Sequence, residues 1–170
     1  GLLNFQDLLM KASEVLSDNP HVRAYFRKRF SHLLIDEFQD TDPVQAKLMM
    51  LLTATDDSET KWEQCVPRPG SLFVVGDPKQ SIYRFRRADI VTYNRVKEII
   101  EKSGGKILTL SANFRTSPDI LKWVNDEFTE RFPESATNHA PAYVPFDYGR
   151  QDGVKGDFHG VRRLDIPEDY

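Results

Sequence analysis

The sequence predicts a three-layer α/β domain built around a parallel β-sheet. Short apolar runs of strand length alternate with amphipathic helical segments, and polar residues follow each run directly. This alternation is typical of a parallel sheet covered by helices on both faces, with functional groups at the carboxyl ends of its strands. A chain of 170 residues with 39% hydrophobic content can bury one sizeable core.

Two helices are predicted before the first strand. Between residues 4 and 16 the apolar residues recur at helical spacing, and Asn19-Pro20 ends that helix and begins a second one running towards Phe30. We therefore assign residues 1–30 to a helical segment that leads into the core of the domain.

Three strands and three helices are predicted in the next hundred residues, and they form a core over residues 31–132. The strands are expected at residues 32–36, 72–75 and 107–110. The helices are expected at residues 43–52, 88–102 and 118–132, with a polar loop over residues 54–70. After residue 132 the pattern weakens, with one strand expected near residues 160–166, so residues 133–170 are predicted to begin the connection to another domain.

Charge and composition exclude several classes of protein. A net charge of −3 argues against a protein that coats nucleic acid through bulk positive charge. Basic residues nevertheless cluster at 23–29 and 79–97, which fits either a groove for a phosphate backbone or, equally for the first cluster, ordinary solvated helix faces. The single cysteine, Cys65, and four scattered histidines offer no zinc-ligand spacing.

No membrane or export signal is recognisable. The longest apolar runs are far shorter than the roughly 20 residues of a membrane helix. The first residues lack a basic start followed by an apolar stretch and a small-residue cleavage site. We expect an intracellular, cytoplasmic protein without membrane partners.

The first strand is followed by two adjacent carboxylates, Asp36 and Glu37. Such a pair can hold Mg²⁺ through one carboxylate while the other orients or deprotonates a water. An acidic pair that caps the next helix is the more common case when the pair is taken alone. The longer string Asp-Glu-Phe-Gln-Asp-Thr, residues 36–41, is far more specific and resembles motif II, the Walker B element, of UvrD/Rep-type superfamily 1 helicases.

The second strand runs into Gly-Asp-Pro-Lys-Gln-Ser-Ile-Tyr-Arg-Phe-Arg, residues 76–86. Gln80 carries an amide that can sense a phosphate or the attacking water, and the following arginines and aromatic residues can contact phosphates and stack bases. The alternative is that these aromatics are core residues and the arginines are solvated. The string resembles motif III of the same helicases, in the form closest to the RecB/AddA helicase-nuclease branch. That resemblance implies that Tyr83, Phe85 and Arg86 contact DNA or link the nucleotide site to the DNA site.

The third predicted strand precedes Ser-Ala-Asn-Phe-Arg-Thr-Ser, residues 111–117. This string resembles motif IV of the family, which has an asparagine, an aromatic residue and an arginine followed by serine or threonine. The resemblance implies that Arg115 contacts the γ-phosphate and stabilises charge that develops during phosphoryl transfer, and that Phe114 lies near the nucleotide base. The alternative is a simple helix start with a surface arginine. The three motifs occur in the family's order, each after a predicted strand.

A weaker resemblance concerns residues 4–9, which are similar to an element that lies near single-stranded DNA in the family, although an amphipathic helix start explains them equally well. No Gly-x-x-x-x-Gly-Lys-Ser/Thr string occurs in the 170 residues. The resemblance therefore implies part of the first RecA-like motor domain of a P-loop NTPase fold, lacking the P-loop segment. We expect an internal fragment that is inactive in isolation.

The function implied by the resemblance is ATP hydrolysis coupled to 3′-to-5′ translocation and unwinding of DNA in repair or recombination. ATP and Mg²⁺ are the expected cofactors, Asp36 the metal ligand, and Glu37 the residue that activates water. Gln80 would report the γ-phosphate state to the DNA site. The expected partners are single- or double-stranded DNA, the remainder of the helicase chain and a helicase-nuclease partner subunit.

Two other functions remain open at this point. The first is a catalytically inactive nucleic-acid-binding or interaction module that retains the helicase fold. The second is a metal-dependent nuclease built on Asp36 and Glu37, which ranks last because the sequence lacks further clustered carboxylates for a two-metal site.

Overall fold

The computed structural model describes residues 2–82, 89–137, 140–149 and 160–163. The chain divides into two compact units, Gly1–Leu108 and Thr109–Tyr170. Among the described residues, no helix has the length and apolar character needed to cross a membrane.

The first unit begins with the two predicted helices, α1 (Phe5–Asp18) and α2 (Pro20–Arg29). Asn4 begins α1 with a capping box, in which its side chain accepts the Asp7 N–H at 2.9 Å and the Asp7 carboxylate accepts the Asn4 N–H at 3.0 Å. Pro20 occupies the first turn of α2, where its missing N–H costs nothing. Both helices are confirmed.

The centre of the first unit is a parallel pair of strands, β1 (Leu33–Ile35) and β2 (Leu72–Val74), in the register Leu33 to Leu72 and Ile35 to Val74. These alternate residues pack against a core supplied mainly by α3 (Pro43–Thr53) and α4 (Ile90–Lys102). The opposite face of the pair is solvent-exposed. Leu34 and Phe73 lie side by side there, 73% and 59% exposed.

The second unit contains β3 (Ala112–Asn113), α5 (Pro118–Arg131) and β4 (Asp147–Tyr148). β3 and β4 form a short parallel pair. Asn125 of α5 secures the segment before β4, because its amide donates to the Phe146 carbonyl at 2.9 Å and accepts from the Phe146 N–H at 3.0 Å and the Tyr143 hydroxyl at 2.9 Å.

Two predictions about strands are wrong. Residues 107–110 form no strand, and Leu108 and Leu110 are 80% and 88% exposed. An apolar run becomes a strand only where a neighbouring strand and a core face accept it, and the described part of the chain supplies neither here. The third strand lies further on, at β3, and pairs with β4 instead of extending the β1–β2 pair. The expectation that all three strands belong to one parallel sheet is therefore wrong for the described residues.

The remaining element predictions are confirmed within a few residues, with one exception. Of the strand expected near residues 160–166, residues 160–163 are not in a strand and residues 164–166 lie outside the described part of the chain.

Candidate functional site

The carboxyl end of β1 presents the two predicted acidic residues to solvent. Asp36 and Glu37 are both exposed, and the Asp36 carboxylate accepts the Glu37 N–H at 2.9 Å. Glu37 adopts the left-handed conformation, with φ 51° and ψ 42°, which costs about 1–2 kcal/mol for a residue with a side chain. A strained residue held at a strand end by its surroundings is a common feature of functional sites.

The backbone ladder continues past both strands and brings their ends together. The Val75 N–H donates to the Ile35 carbonyl at 2.8 Å, and the Phe38 N–H donates to the Val75 carbonyl at 2.9 Å. Gly76 then passes so close to the first motif that a Cβ there would lie 2.9 Å from Gln39 Oε1 and 3.1 Å from the Phe38 nitrogen. Any side chain at this position would force Gln39 Oε1 or the neighbouring backbone to shift, so the close approach favours glycine.

Gln39 joins the first motif to the second. Its side chain is buried, with 4% exposed, and its Nε2 donates to Glu37 Oε2 at 2.6 Å. Its Oε1 accepts the Asp77 N–H at 3.0 Å, and its backbone carbonyl accepts the Ser81 hydroxyl at 3.1 Å. One buried residue thus contacts the catalytic candidate Glu37 and both ends of the second motif's loop.

Asp77 organises the loop that carries Gln80. Its carboxylate accepts the Lys79 N–H at 3.0 Å and forms an ion pair with the Lys79 ammonium at 3.0 Å. The Gln80 amide donates to the same carboxylate at 3.2 Å. Gln80 is exposed, so its amide is available to a ligand in solvent while Asp77 positions it.

Two aromatic rings, those of Phe38 and Tyr93, pack beside the loop that carries Gln80. Phe38 is buried and packs against Tyr93 of α4 with ring centroids 5.5 Å apart. The Tyr93 hydroxyl donates to the Gly76 carbonyl at 3.4 Å. Burial, and to a lesser degree the negative charge of Asp77, raises the pKa of Tyr93 and so favours the protonated hydroxyl that donates to Gly76.

The third motif lies in the second unit and forms a tight turn after β3. The Asn113 side chain accepts the Arg115 N–H at 2.9 Å and the Thr116 N–H at 2.8 Å. Arg115 and Phe114 are exposed, and the Phe114 ring lies against Gly149, where a Cβ would come within 2.7 Å of it. The turn holds a guanidinium and an aromatic ring in neighbouring positions.

Three of the predicted functional residues lie outside the described part of the chain: Tyr83, Phe85 and Arg86. Of the earlier basic cluster, Arg23 is buried, with 1% exposed, and donates to the backbone carbonyls of Asp56 and Glu59. This residue therefore belongs to neither a phosphate groove nor a solvated helix face.

The acidic end of β1 fits a magnesium site of the kind completed by a nucleotide. In the described ranges, no group of three or more histidine, cysteine, aspartate or glutamate side chains is placed to hold a metal ion. Mg²⁺ is usually held by one or two carboxylates together with waters and substrate phosphates, and Asp36 with Glu37 is a donor set of that kind.

Sequence reasoning missed the roles of Gln39, Asp77 and Tyr93. Gln39 lies within the first motif, and a glycine directly after an apolar strand, Gly76, was the available signal for a close backbone approach. The contact between Tyr93 and Gly76 depends on the packing of α4 and has no local sequence signal.

Polar side chains gathered at the carboxyl ends of parallel strands are typical of α/β domains that bind a ligand at that edge of the sheet. Residues 1–101 match the UvrD/REP helicase N-terminal domain, and the chain belongs to this family.

Curated relatives agree with this assignment. The chain is 39% identical to the RecBCD enzyme subunit RecB of Chlamydia muridarum over 131 residues. The aligned region covers 77% of this chain and 12% of that protein. It is 38% identical over 132 residues to an ATP-dependent helicase/nuclease subunit of Listeria innocua, covering 74% and 10%. For the helicase/nuclease subunit of the same name in Streptococcus pneumoniae, the identity is 35% over 126 residues, covering 73% and 9%. The chain thus spans about a tenth of the length of these relatives.

Proposed function

We propose that this chain is part of an ATP-dependent DNA helicase that acts in DNA repair or recombination. The observation that supports it most is the linkage of Glu37, Gln39, Asp77 and Gln80 at the ends of two parallel strands. This arrangement joins an exposed carboxylate to an exposed amide through one buried residue. Phosphoryl transfer needs positioning and charge stabilisation of this kind and little covalent chemistry from the protein.

Asp36 and Glu37, at the end of β1, would have different roles in hydrolysis. Asp36 would hold Mg²⁺, which supplies charge neutralisation at the phosphates when it is bound. Glu37 would accept a proton from the attacking water, since its carboxylate is exposed and one of its oxygens is fixed by Gln39. Gln80, positioned by Asp77, would sense the γ-phosphate through its side-chain amide.

The third motif would complete the nucleotide site in the intact motor. Arg115 would contact the γ-phosphate as the charge-stabilising arginine, and Phe114 would lie near the base. Support comes from the exposure of both side chains and from the hydrogen-bonded Asn113 turn that carries them. DNA contacts by Tyr83, Phe85 and Arg86 rest on the motif resemblance alone.

The apolar face of the β1–β2 pair supports a larger, three-layer RecA-like sheet in the intact protein. Leu34 and Phe73 form an exposed apolar pair on that face. Parallel sheets of this class are normally covered on both faces. Further strands and helices of the same motor domain would cover this face and supply the phosphate-binding loop, so the 170-residue chain in isolation would not hydrolyse ATP.

Unwinding assays test the proposed function. The full-length reading frame that encodes this chain should separate duplexes carrying a 3′ single-stranded tail, with Mg-ATP required and 5′-tailed duplexes unwound poorly. Replacement of ATP by a non-hydrolysable analogue should stop unwinding while DNA binding persists. A protein that binds DNA but neither hydrolyses ATP nor unwinds any duplex would instead be an inactive module with a helicase fold.

A further inference from the structure

Helix α2 exposes a face that carries basic and aromatic side chains and no acidic one. The helix contains no carboxylate, and the exposed residues His21, Ala24, Tyr25, Lys28 and Arg29 recur every three or four positions, so they lie along one face. We propose that this face, the α2 surface, is an additional binding site for single-stranded DNA. The proposal rests on the proposed function, because it assigns a further contact with the same nucleic acid.

The structure divides the basic residues of α2 into an inner and an outer pair. Arg23 is 1% exposed, and the Arg27 side chain is 10% exposed and pairs with Asp57. Lys28 and Arg29 are exposed, and no carboxylate of the described residues forms an ion pair with either of them. Their charges therefore face solvent without compensation and are available to phosphate groups.

Other helices of the chain balance their exposed cations. In α4, Glu98 pairs with Arg95 at 3.2 Å and with Lys102 at 3.4 Å. In α5, Lys122 pairs with Asp126 at 2.6 Å. Such pairs, three or four residues apart, are typical of a helix face that is adapted only to solvent. The α2 surface lacks them, which favours a polyanionic partner.

Tyr25 gives this surface an aromatic ring beside the cations. The residue is 60% exposed, and its ring meets that of Phe26 edge-on, with centroids 5.3 Å apart and an interplanar angle of 78°. Phe26 packs against the core, so the tyrosine ring is supported on one side and open to solvent. The helix macrodipole favours cations in the last turn, but it gives no reason for an exposed tyrosine among them.

Helix geometry sets the distance between the ring and the charges. Tyr25 and Arg29 are four residues apart, which is about 6 Å along the helix axis. A base stacked on the tyrosine therefore has its backbone phosphates within reach of Lys28 and Arg29. Surfaces that bind single strands combine such cations with aromatic rings on which bases stack. This combination favours single-stranded DNA over a folded acidic protein.

The α2 surface is separate from the candidate nucleotide site. Helix α2 ends at Arg29, shortly before the amino end of β1, whereas Asp36 and Glu37 follow the carboxyl end of that strand. Loss of the α2 surface should therefore weaken DNA binding without removing a group that takes part in hydrolysis.

Three variants and one control test the two parts of the surface. The double variant Lys28→Gln with Arg29→Gln removes both charges and keeps good helix formers. Tyr25→Ala removes the ring, and Tyr25→Phe retains it. The control is Lys102→Gln with Lys106→Gln, which removes the same charge from exposed lysines of the same unit.

The experiment uses the full-length reading frame and measures the affinity for a labelled oligothymidine by fluorescence anisotropy, without nucleotide, over a range of salt concentrations. Loss of two phosphate contacts should make the slope of log affinity against log salt shallower by about 1.4, since each contact with a single strand contributes about 0.7. Tyr25→Ala should bind about fivefold more weakly or worse, with the slope unchanged, because one base stack is lost. Tyr25→Phe and the control should bind as the wild type does.

The outcomes that contradict the α2 surface differ from those that contradict the helicase function. Wild-type affinity and slope in the double variant, or an equal loss in the control, would show that α2 carries only an ordinary solvated face. Full affinity in Tyr25→Ala would also overturn the proposal, because bases would not stack there. ATP hydrolysis is measured separately, so a wild type without it refutes the proposed function while anisotropy still decides whether α2 binds DNA.

Discussion

Two polar clusters of the first unit differ in where they place their charges. At the strand ends, Asp36 and Glu37 are exposed, and a single buried glutamine holds the site together. Around the end of α3, basic side chains turn inwards instead. Arg23 and Arg68 donate to backbone carbonyls there, and Arg27 does so while also pairing with Asp57.

The arginine cluster has a structural purpose. Arg68 donates to the Leu52 and Ala54 carbonyls at 3.3 and 3.2 Å, and Arg27 donates to the Ala54 and Thr55 carbonyls, so the two satisfy the free carbonyls at the end of α3. Burial, followed by repulsion from the neighbouring arginines, lowers the pKa of Arg27. The buried arginines bond to backbone and serve folding, whereas the exposed carboxylates at the strand ends, one of them on a strained residue, are where we propose chemistry.

Among the tests that probe one cluster at a time, the largest effect is expected at Asp36. Asp36→Ala in the full-length protein should raise the Mg²⁺ concentration needed for half-maximal ATP hydrolysis by about tenfold to 100-fold. Even residues that only orient the metal ligands lower metal affinity by that factor when they are replaced. Asp18→Ala, at an exposed carboxylate on α1, is the control and should leave the magnesium titration unchanged. Equal magnesium curves for wild type and Asp36→Ala would remove Asp36 from the metal site.

The next effect concerns stability alone. Arg23→Met should lower the free energy of unfolding by about 3 kcal/mol, because two charge-assisted hydrogen bonds from a buried side chain to backbone carbonyls are lost. Arg29→Met, at an exposed arginine of the same helix, should change it by less than about 0.5 kcal/mol. Urea denaturation measures both, and equal midpoints for the two variants would mean that Arg23 is not a structural residue.

The sequence predicted the positions of the candidate site residues better than it predicted the strands of the sheet. The acidic pair, the Gly76 loop and Gln80 fall at strand ends as expected, because short apolar runs and the polar residues after them are local signals. The strand at residues 107–110 was wrong because pairing partners and burial decide whether an apolar run becomes a strand.

The burial of the Arg23 side chain could not be predicted from the sequence either. It depends on carbonyls of Asp56 and Glu59, more than thirty residues away along the chain. The local charge pattern predicts a basic helix. It cannot show that one arginine of this helix forms hydrogen bonds to a distant segment of the chain.

The smallest effect is a pH dependence beside the arginine cluster. Burial raises the pKa of the Cys65 thiol from 9.0 to about 11. The neutral thiol therefore adds stability that is fully present below about pH 9 and is lost as the pH rises towards 11. Unfolding midpoints of wild type and Cys65→Ala should converge over this range, whereas parallel curves would show that the thiol does not titrate differently in the folded protein.

The most direct test of the whole account measures hydrolysis and stability in the same two variants. In the full-length protein, Glu37→Gln should lower DNA-stimulated ATP hydrolysis about 100-fold or more, as loss of a general base does, and leave the unfolding midpoint unchanged. Arg23→Met, assayed well below its own midpoint, should keep near-normal hydrolysis and lose stability. Hydrolysis that survives Glu37→Gln but fails in folded Arg23→Met would contradict the separation of chemistry from folding on which the account depends.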